Sequence, residues 1–498
     1  MIKQRSSGIL LHVTSLPSAY GIGDLGHAAR QFIDMLHRAG QNLWQVLPLQ
    51  PVNGIHHYSP YSGSSAFAGN RYLISPQSLV EQQYLKPEDL DGAPKFPDDH
   101  VDFPAVTKLK RALLDRSWER YQERDDTAPF DSFCRQEAAW LDDYALYAVA
   151  KQVNDLKGWN DWPQALRDRD PKALNEFSNR YAGQLRQTKF EQYLFFRQWD
   201  DLKAYANERQ IQVFGDLPIY ITYDSADVWA NPELFKLNEK RQPTVVAGVP
   251  PDYFSKTGQL WGNPVYNWDE LKGQDYDWWL RRLEQMFRLY DIVRIDHFRG
   301  LVAYWEVPSH HKTAVNGEWV EAPVDDFLTR VHQHFENPRV IAEDLGTITD
   351  DVVEVMKRYK LPGMKVLEFA FGEDNPKHKY LPENYDEDSV VYTGTHDNNT
   401  IVGWYQNEAD EKTLKRLERY LGTDVTADDV HWHLIKLALD SRAKLAVFPI
   451  QDILGLDQSA RMNTPGTAKG NWVWRLTPEQ MAIVPVEKLA DLTEKSDR

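Results

Sequence analysis

The chain has 498 residues, 42% of them hydrophobic, with 27 Gly, 28 Pro and one cysteine, enough for a full α/β barrel with insertions or for two or three ordinary domains. A formal charge of −17 and a pI near 5.4 deny nucleic acid or an anionic membrane the basic field it would need, so a neutral substrate fits better. The lone Cys134, in the helical-looking FDSFCRQEAAW, excludes an internal disulfide and a cysteine-based metal site and reads as a buried structural thiol, while a mean hydropathy of −0.59 without a long uncharged apolar run excludes a membrane span.

The N-terminal MIKQRSSGILLHV carries an apolar run too short for a signal peptide, so it reads as a strand and the cytoplasm is the expected compartment. Two strands are predicted at 8–13 and 42–49. The stretch that follows is far longer than a crossover needs and holds the helical patterns LKRALLDRSWERYQER and KFEQYLFFRQWDDLKAYANERQ; it predicts a helical subdomain over 72–205 inserted between strands two and three. A third strand is expected at 212–219. Residues 220–290, rich in aromatics, Gly, Pro and Asn, predict a second, loop-rich insertion over a pocket. Further strands follow at 292–298, 339–345, 364–371, 390–396 and 445–450. Between the fifth and sixth, TITDDVVEVMKRYK makes a helical apolar face of Val352, Val353, Val355 and Met356; between the seventh and eighth, EADEKTLKRLERYLG and WHLIKLALDSRAK read as two helices, the first ended by Gly422. The C-terminal LADLTEKSDR is expected to fray. Eight strands with intervening helices predict one (β/α)8 TIM barrel spanning 1–498.

Three carboxylates sit at the ends of these strands: Asp296 in VRIDHFRG, Glu343 in VIAEDLG and Asp397 in VYTGTHDNN. Residues two apart on a strand share a face, so Arg294 points with Asp296, Ile341 with Glu343 and Thr395 with Asp397. The C-terminal ends of barrel strands form the active face, where the three acids can converge. Retaining glycosidic chemistry needs an ionised carboxylate to attack the anomeric carbon and a protonated one, roughly 5–5.5 Å away, to protonate the leaving oxygen. Asp296 is assigned the first role, kept ionised by Arg294, and Glu343 the second, its proton kept by partial shielding from water. Asp397 would stabilise charge or hold the sugar ring. Any one of these acids alone would more often be a cap or loop residue; three together, one beside Arg294 and one beside His396, favour a catalytic set. By parity His297 and Asp344 face away and are given structural roles; His396 has the same parity but precedes a loop where the alternation can break. No HExxH, Asp-rich calcium loop or His-x-His pair is present, so no catalytic metal is expected.

Many of the 17 Trp, 24 Tyr and 20 Phe lie in polar, Gly/Pro-rich stretches such as HHYSPYSG and PPDYFSKTGQLWGNPVYNW. Rigid aromatic faces beside hydrogen-bonding groups suit sugar rings. The competing reading, that aromatics in long loops pin those loops as small cores, covers about half of them. The Trp residues of WERYQER and KGWNDWPQAL are assigned to helix packing.

Eight segments together, GILLHVTSLPSAYGIGDLG, SPYSGSSAFAGNRYLISP, FGDLPIYITYDSADVWANPELF, VAGVPPDYFSKTGQLWGNPVYNW, VRIDHFRG, VIAEDLG, GTHDNNT and FPIQDILGLDQSARMNTPGTAKGNWVWR, resemble the amylomaltases, the disproportionating 4-α-glucanotransferases of the α-amylase superfamily. The resemblance runs from Gly8 to Arg475. It implies a barrel with inserted subdomains, a retaining double displacement and no cofactor, with Asp296 as nucleophile, Glu343 as acid/base and Asp397 as the third acid. It further implies that Arg294, Asp216, His396, Asn463, Tyr61 and Ser59 serve the sugar site, and that Asp252, Gln259 and Trp261 lie on a loop covering the cleft; because transfer requires the acceptor to reach the intermediate before water, the loop at 248–262 is the candidate for keeping water out. The expected partners are maltooligosaccharides and amylose, starch or glycogen-derived glucans, with glucose as an acceptor. This chain has His57-Tyr58 where the family often has Gly-Asp, and Arg71 where a Pro is common, departures near the acceptor side. An α-amylase-type hydrolase using the same acids, and a silent glucan-binding protein, are the alternatives.

Overall fold

The structure, a computed structural model, describes residues 4–251 and 255–498. Eight strands, Ser6–Leu10, Leu43–Gln45, Gln212–Pro218, Ile292–Asp296, Val340–Ala342, Gly363–Val366, Ser389–Tyr392 and Leu445–Pro449, lie in chain order with every pair parallel, and the first closes on the eighth through Ser6 opposite Leu445. The expected (β/α)8 barrel is therefore present. Its seam lies between the fifth and sixth strands, where the Ala342 N–H donates to the Pro362 carbonyl at 2.9 Å and the Met364 N–H donates to Asp344 Oδ1 at 2.6 Å. The Asp344 side chain thus replaces a ladder bond that two short strands do not make. Asp344→Ala should lower the denaturant midpoint, at a cost of about 1–3 kcal/mol for the orphaned donor, while Asp344→Asn, which keeps an acceptor, stays near wild type.

Each predicted strand exists, but every one ends earlier than the sequence pattern suggests. The apolar run predicted at 42–49 is paired only over Leu43–Gln45; Val46, Leu47 and Leu49 are buried loop residues packed under the barrel rim. An apolar run reports burial, which pairing need not accompany.

Between the second and third strands stand the helices Phe103–Tyr121, Ala128–Gln136, Ala138–Val153 and Ala182–Glu208. Trp118, Trp159 and Trp162 are buried there. The long Ala182–Glu208 helix is anchored to the barrel through the Trp199 indole, which donates to the Leu289 carbonyl at 3.0 Å. The region 220–290, expected to be loop-rich, carries the helices Trp268–Gly273 and Asp277–Leu289 and the strands Val245–Val249 and Gln259–Pro264. These strands join Ala303–Pro308 and Glu318–Glu321 in a separate four-stranded antiparallel sheet beside the barrel mouth. The aromatics of the 220–290 region divide as the competing reading requires: Tyr266 and Trp268 are buried against Trp279, whereas Trp261 is exposed.

The helix Asp350–Tyr359 buries Val352, Val355 and Met356 and leaves Val353 outside. The helix Glu411–Leu421 ends at Gly422, whose φ of +71° is the left-handed conformation a C-terminal glycine supplies. Cys134, expected to be a buried structural thiol, is half-buried on the helix Ala128–Gln136, packed against the core. The fraying expected at the C-terminus is corrected too: the Arg498 guanidinium donates to the carbonyls of Ser6, Lys444 and Ala443 and ties the last residue to the barrel bottom. No helix among the described residues is long and apolar enough to cross a membrane.

Candidate active site

The barrel interior is apolar at one end, filled by Phe214, Ile292, Ile341, Met364, Val390 and Leu445 among others. Asp216, Arg294 and Glu343 stand two residues beyond Phe214, Ile292 and Ile341, and Asp296 four beyond Ile292, so strand alternation carries the same inward face up to the charged residues. The register places Asp216 opposite Arg294. Arg294 Nη1 donates to Asp216 Oδ2 at 2.5 Å and Nη2 to Asp296 Oδ1 at 2.7 Å, with Arg294 and Asp216 both buried. Burial alone would weaken the guanidinium charge, but the two carboxylates hold it far above its ordinary range.

Asp296 is the last residue of its strand. His297 takes a left-handed conformation, φ +52°, which ends the alternation and turns its backbone N–H toward the neighbouring strand, where it donates to Glu343 Oε2 at 2.8 Å. The Leu345 N–H donates to Glu343 Oε1 at 2.7 Å. The Glu343 carboxyl therefore lies against the peptide that directly follows Asp296. Burial pushes its pKa up to about 7; Asp296 adds to the shift, and Arg294 and the two backbone donors oppose it without cancelling it. One acid of the pair keeps its proton near neutrality while its neighbour is clamped to an arginine, the division of labour acid/base chemistry requires.

Asp397 arrives differently. Its strand ends at Tyr392, so the shared face expected for Thr395 and Asp397 does not exist; a turn delivers the acid instead. Asn398 Oδ1 accepts both the Thr395 N–H and the Thr395 hydroxyl at 2.9 Å, and Asn463 Nδ2 donates to Asp397 Oδ1 at 2.6 Å. His396 Nε2 lies 3.5 Å from Asp397 Oδ1 and 2.8 Å from the Tyr61 hydroxyl, which donates to Asp216 Oδ2 at 2.7 Å. Since Tyr61 spends its proton on Asp216, His396 Nε2 is the donor to Tyr61. The Tyr61 and His396 rings stack at 5.2 Å, and Ser59 supports Tyr61 by accepting its N–H at 3.3 Å.

The structure thus brings together Tyr61, Asp216, Arg294, Asp296, Glu343, His396, Asp397 and Asn463. Ser59 acts one step behind. Trp261 stands edge-on to the half-buried His297 ring at 4.7 Å, and its indole donates to Gln259 Oε1 at 3.2 Å. Asp252 lies outside the described residues. Tyr58 stacks on Phe103 at 3.9 Å, so its ring belongs to a packing cluster. Three neighbours escaped the sequence reading. Arg461 donates to the Asp397 and Asn463 carbonyls at 2.9 and 2.8 Å, joining two loops. Trp472 tilts against Tyr61 and His396. His12 is buried and held neutral, its pKa pulled down to about 3 by burial and by His396. Arg461 and Trp472 lie in a Gly/Pro-rich segment without periodicity, where only the aromatic-in-polar pattern of GNWVWR offered a hint.

A family model described as 4-alpha-glucanotransferase matches residues 11–481. The 4-alpha-glucanotransferase of Synechocystis sp. is 48% identical over 489 residues, covering 97% of this chain and 95% of its own length. That of Thermus thermophilus is 45% identical over 504 residues and 99% of each chain. The amylomaltase of Streptococcus agalactiae, solved in complex with acarbose, matches with a TM-score of 0.95 at 34% identity over 99% of this chain and 100% of its own.

Proposed function

The chain belongs to the 4-alpha-glucanotransferase family, and on that premise we propose that Asp296, Glu343 and Asp397 perform its glucan transfer by a retaining double displacement. The activity is transfer of α-1,4-glucan segments to the 4-hydroxyl of a sugar acceptor. In the first step an Asp296 oxygen attacks the anomeric carbon, the bond to the leaving glucan breaks, and Glu343 gives its proton to the departing oxygen. Arg294 occupies Asp296 Oδ1, so Oδ2 is the oxygen free to attack. In the second step the Glu343 carboxylate takes the proton of an acceptor hydroxyl, whose oxygen displaces Asp296 from the sugar. Two inversions leave the α configuration intact. Asp397, held by Asn463 with His396 beside it, binds the ring hydroxyls. The observation that carries this reading is the Glu343 carboxyl held by the His297 N–H, the peptide directly following the arginine-clamped Asp296, with burial raising its pKa.

Maltooligosaccharides and starch-type or glycogen-derived glucans serve as donors, and glucose or a second glucan as acceptor. Transfer and hydrolysis share one intermediate, and the outcome depends on whether a sugar hydroxyl or water reaches it first. Trp261, exposed on the strand Gln259–Pro264 and packed on His297 next to the Glu343 donor, is placed to bind the acceptor and exclude water. Incubation with maltotriose should give glucose and longer oligosaccharides at constant total reducing ends. Rising reducing ends would make the protein a hydrolase, and no change would make it a binding protein. Trp261→Ala should raise the hydrolysis-to-transfer ratio several-fold; an unchanged ratio removes Trp261 from the account.

A further inference from the structure

The turn that carries His396 and Asp397 stands on a bed of acids. Asp452, from the residues after the eighth strand, accepts the Ile401 N–H at 2.9 Å and the Thr393 hydroxyl at 2.6 Å. Glu408, at the end of the helix Ile401–Asn407, accepts from Asn399 Nδ2 at 2.9 Å and from Arg461 at 3.0 Å. Glu368, in the short turn after the sixth strand, is buried, and its Oε2 accepts from Asn398 Nδ2 at 2.5 Å. That Asn398 is the residue whose carbonyl oxygen closes the turn on Thr395. Its orientation is unambiguous, because the Thr395 N–H can only donate and so must meet Oδ1, leaving Nδ2 for Glu368.

We propose that Glu368 is a positioning residue for glucan transfer, a buried neutral carboxylic acid that locks Asn398 and through it the placement of His396 and Asp397 in the sugar site. Charge balance supports the neutral form: the charged groups that act most on Glu368 are two acids, Asp452 and Glu408, and the Arg461 guanidinium, which is already paired with Glu408. Glu368 Oε1 has no hydrogen-bond partner among the described residues, so an anion there would be buried with half its charge unsolvated. Burial, then Asp452 and Glu408, push the Glu368 carboxyl well above the usual range, while Asn398 and Arg461 oppose them. The neutral acid still accepts from Asn398, which is all the turn requires.

The sign of the pH effect separates this role from an ordinary salt-bridge carboxylate. Above the ordinary carboxyl range the unfolded chain releases the Glu368 proton and the folded chain retains it, so the wild type loses stability as pH rises toward the folded pKa. A glutamine carries no such proton. Glu368→Gln should keep kcat within about two-fold at pH 6, and its melting temperature relative to wild type should climb between pH 5 and pH 8. Glu343 and Asp452 titrate in both proteins and cancel from the difference. Glu368→Leu, which leaves the Asn398 amide without its acceptor, should lower kcat ten-fold or more on maltotriose with KM changed less than three-fold. A ten-fold loss in Glu368→Gln, a melting difference that is flat or shrinks with pH, or full kcat in Glu368→Leu would each overturn the proposal. Should Glu368→Leu not fold, the two readouts on Glu368→Gln decide alone.

Discussion

An Asp296→Ala variant is expected to fold at the wild-type melting temperature and to disproportionate maltotriose on the order of 10⁵-fold more slowly, the scale of losing a nucleophile. The fold survives because Arg294 keeps its buried partner Asp216 when Asp296 is gone, so no charge is left alone in the interior. The chemistry does not survive, since alanine has no oxygen with which to attack the anomeric carbon and Asp216 Oδ2 is already engaged by Arg294 and Tyr61. Added azide, small enough to enter the vacated space, should restore turnover of a glucosyl fluoride donor and give a β-configured glycosyl azide, one inversion in place of two. Turnover within ten-fold of wild type, or an α-configured azide, would take the nucleophile's role from Asp296.

The route from sequence to site was clearest where strand geometry acts alone. Phe214 and Asp216, Ile292 with Arg294 and Asp296, and Ile341 and Glu343 obey one alternation from the apolar layer into the charged one, and a period of two is visible in any short apolar run. Asp397 shows where that logic stops. Its strand ends five residues earlier, at Tyr392, and its position is set by Asn398, Asn463 and Arg461, side chains whose partnerships depend on loops far apart in the chain. The same holds for His297: alternation turned it away from the pocket, but its left-handed backbone breaks the count and aims its N–H at Glu343. Barrel closure was legible as a number of strands. The seam was not, because a carboxylate standing in for a ladder bond at Asp344 leaves no periodic trace. The helices between strands two and three announced themselves by length and amphipathic pattern, whereas the small antiparallel sheet is made of short strands separated by loops, two helices and a barrel strand. Non-local pairing of that kind has no local signature.

The Glu343→Ala variant tests the acid and the base separately. On maltotriose, whose leaving group is an alcohol, it should lose about 10³–10⁴-fold in kcat/KM, because the departing oxygen finds no proton. On a maltosyl fluoride donor, whose leaving group needs none, the first step should proceed within about ten-fold of wild type. The second step still lacks its base, so a covalent glycosyl adduct should accumulate on the protein and be seen in its intact mass, located at Asp296 by peptide mapping. The pH profile supplies the sign. Glu343 titrates at about 7 in the free protein, raised first by burial, and works in its protonated form, so wild-type kcat/KM on maltotriose should fall as pH rises through about 7. The Glu343→Ala variant on the fluoride donor should lack that alkaline limb. If the limb persists there, some other group titrates and the acid has been misassigned; if the fluoride donor is as slow as maltotriose, Glu343 serves the site in some way other than by giving up its proton.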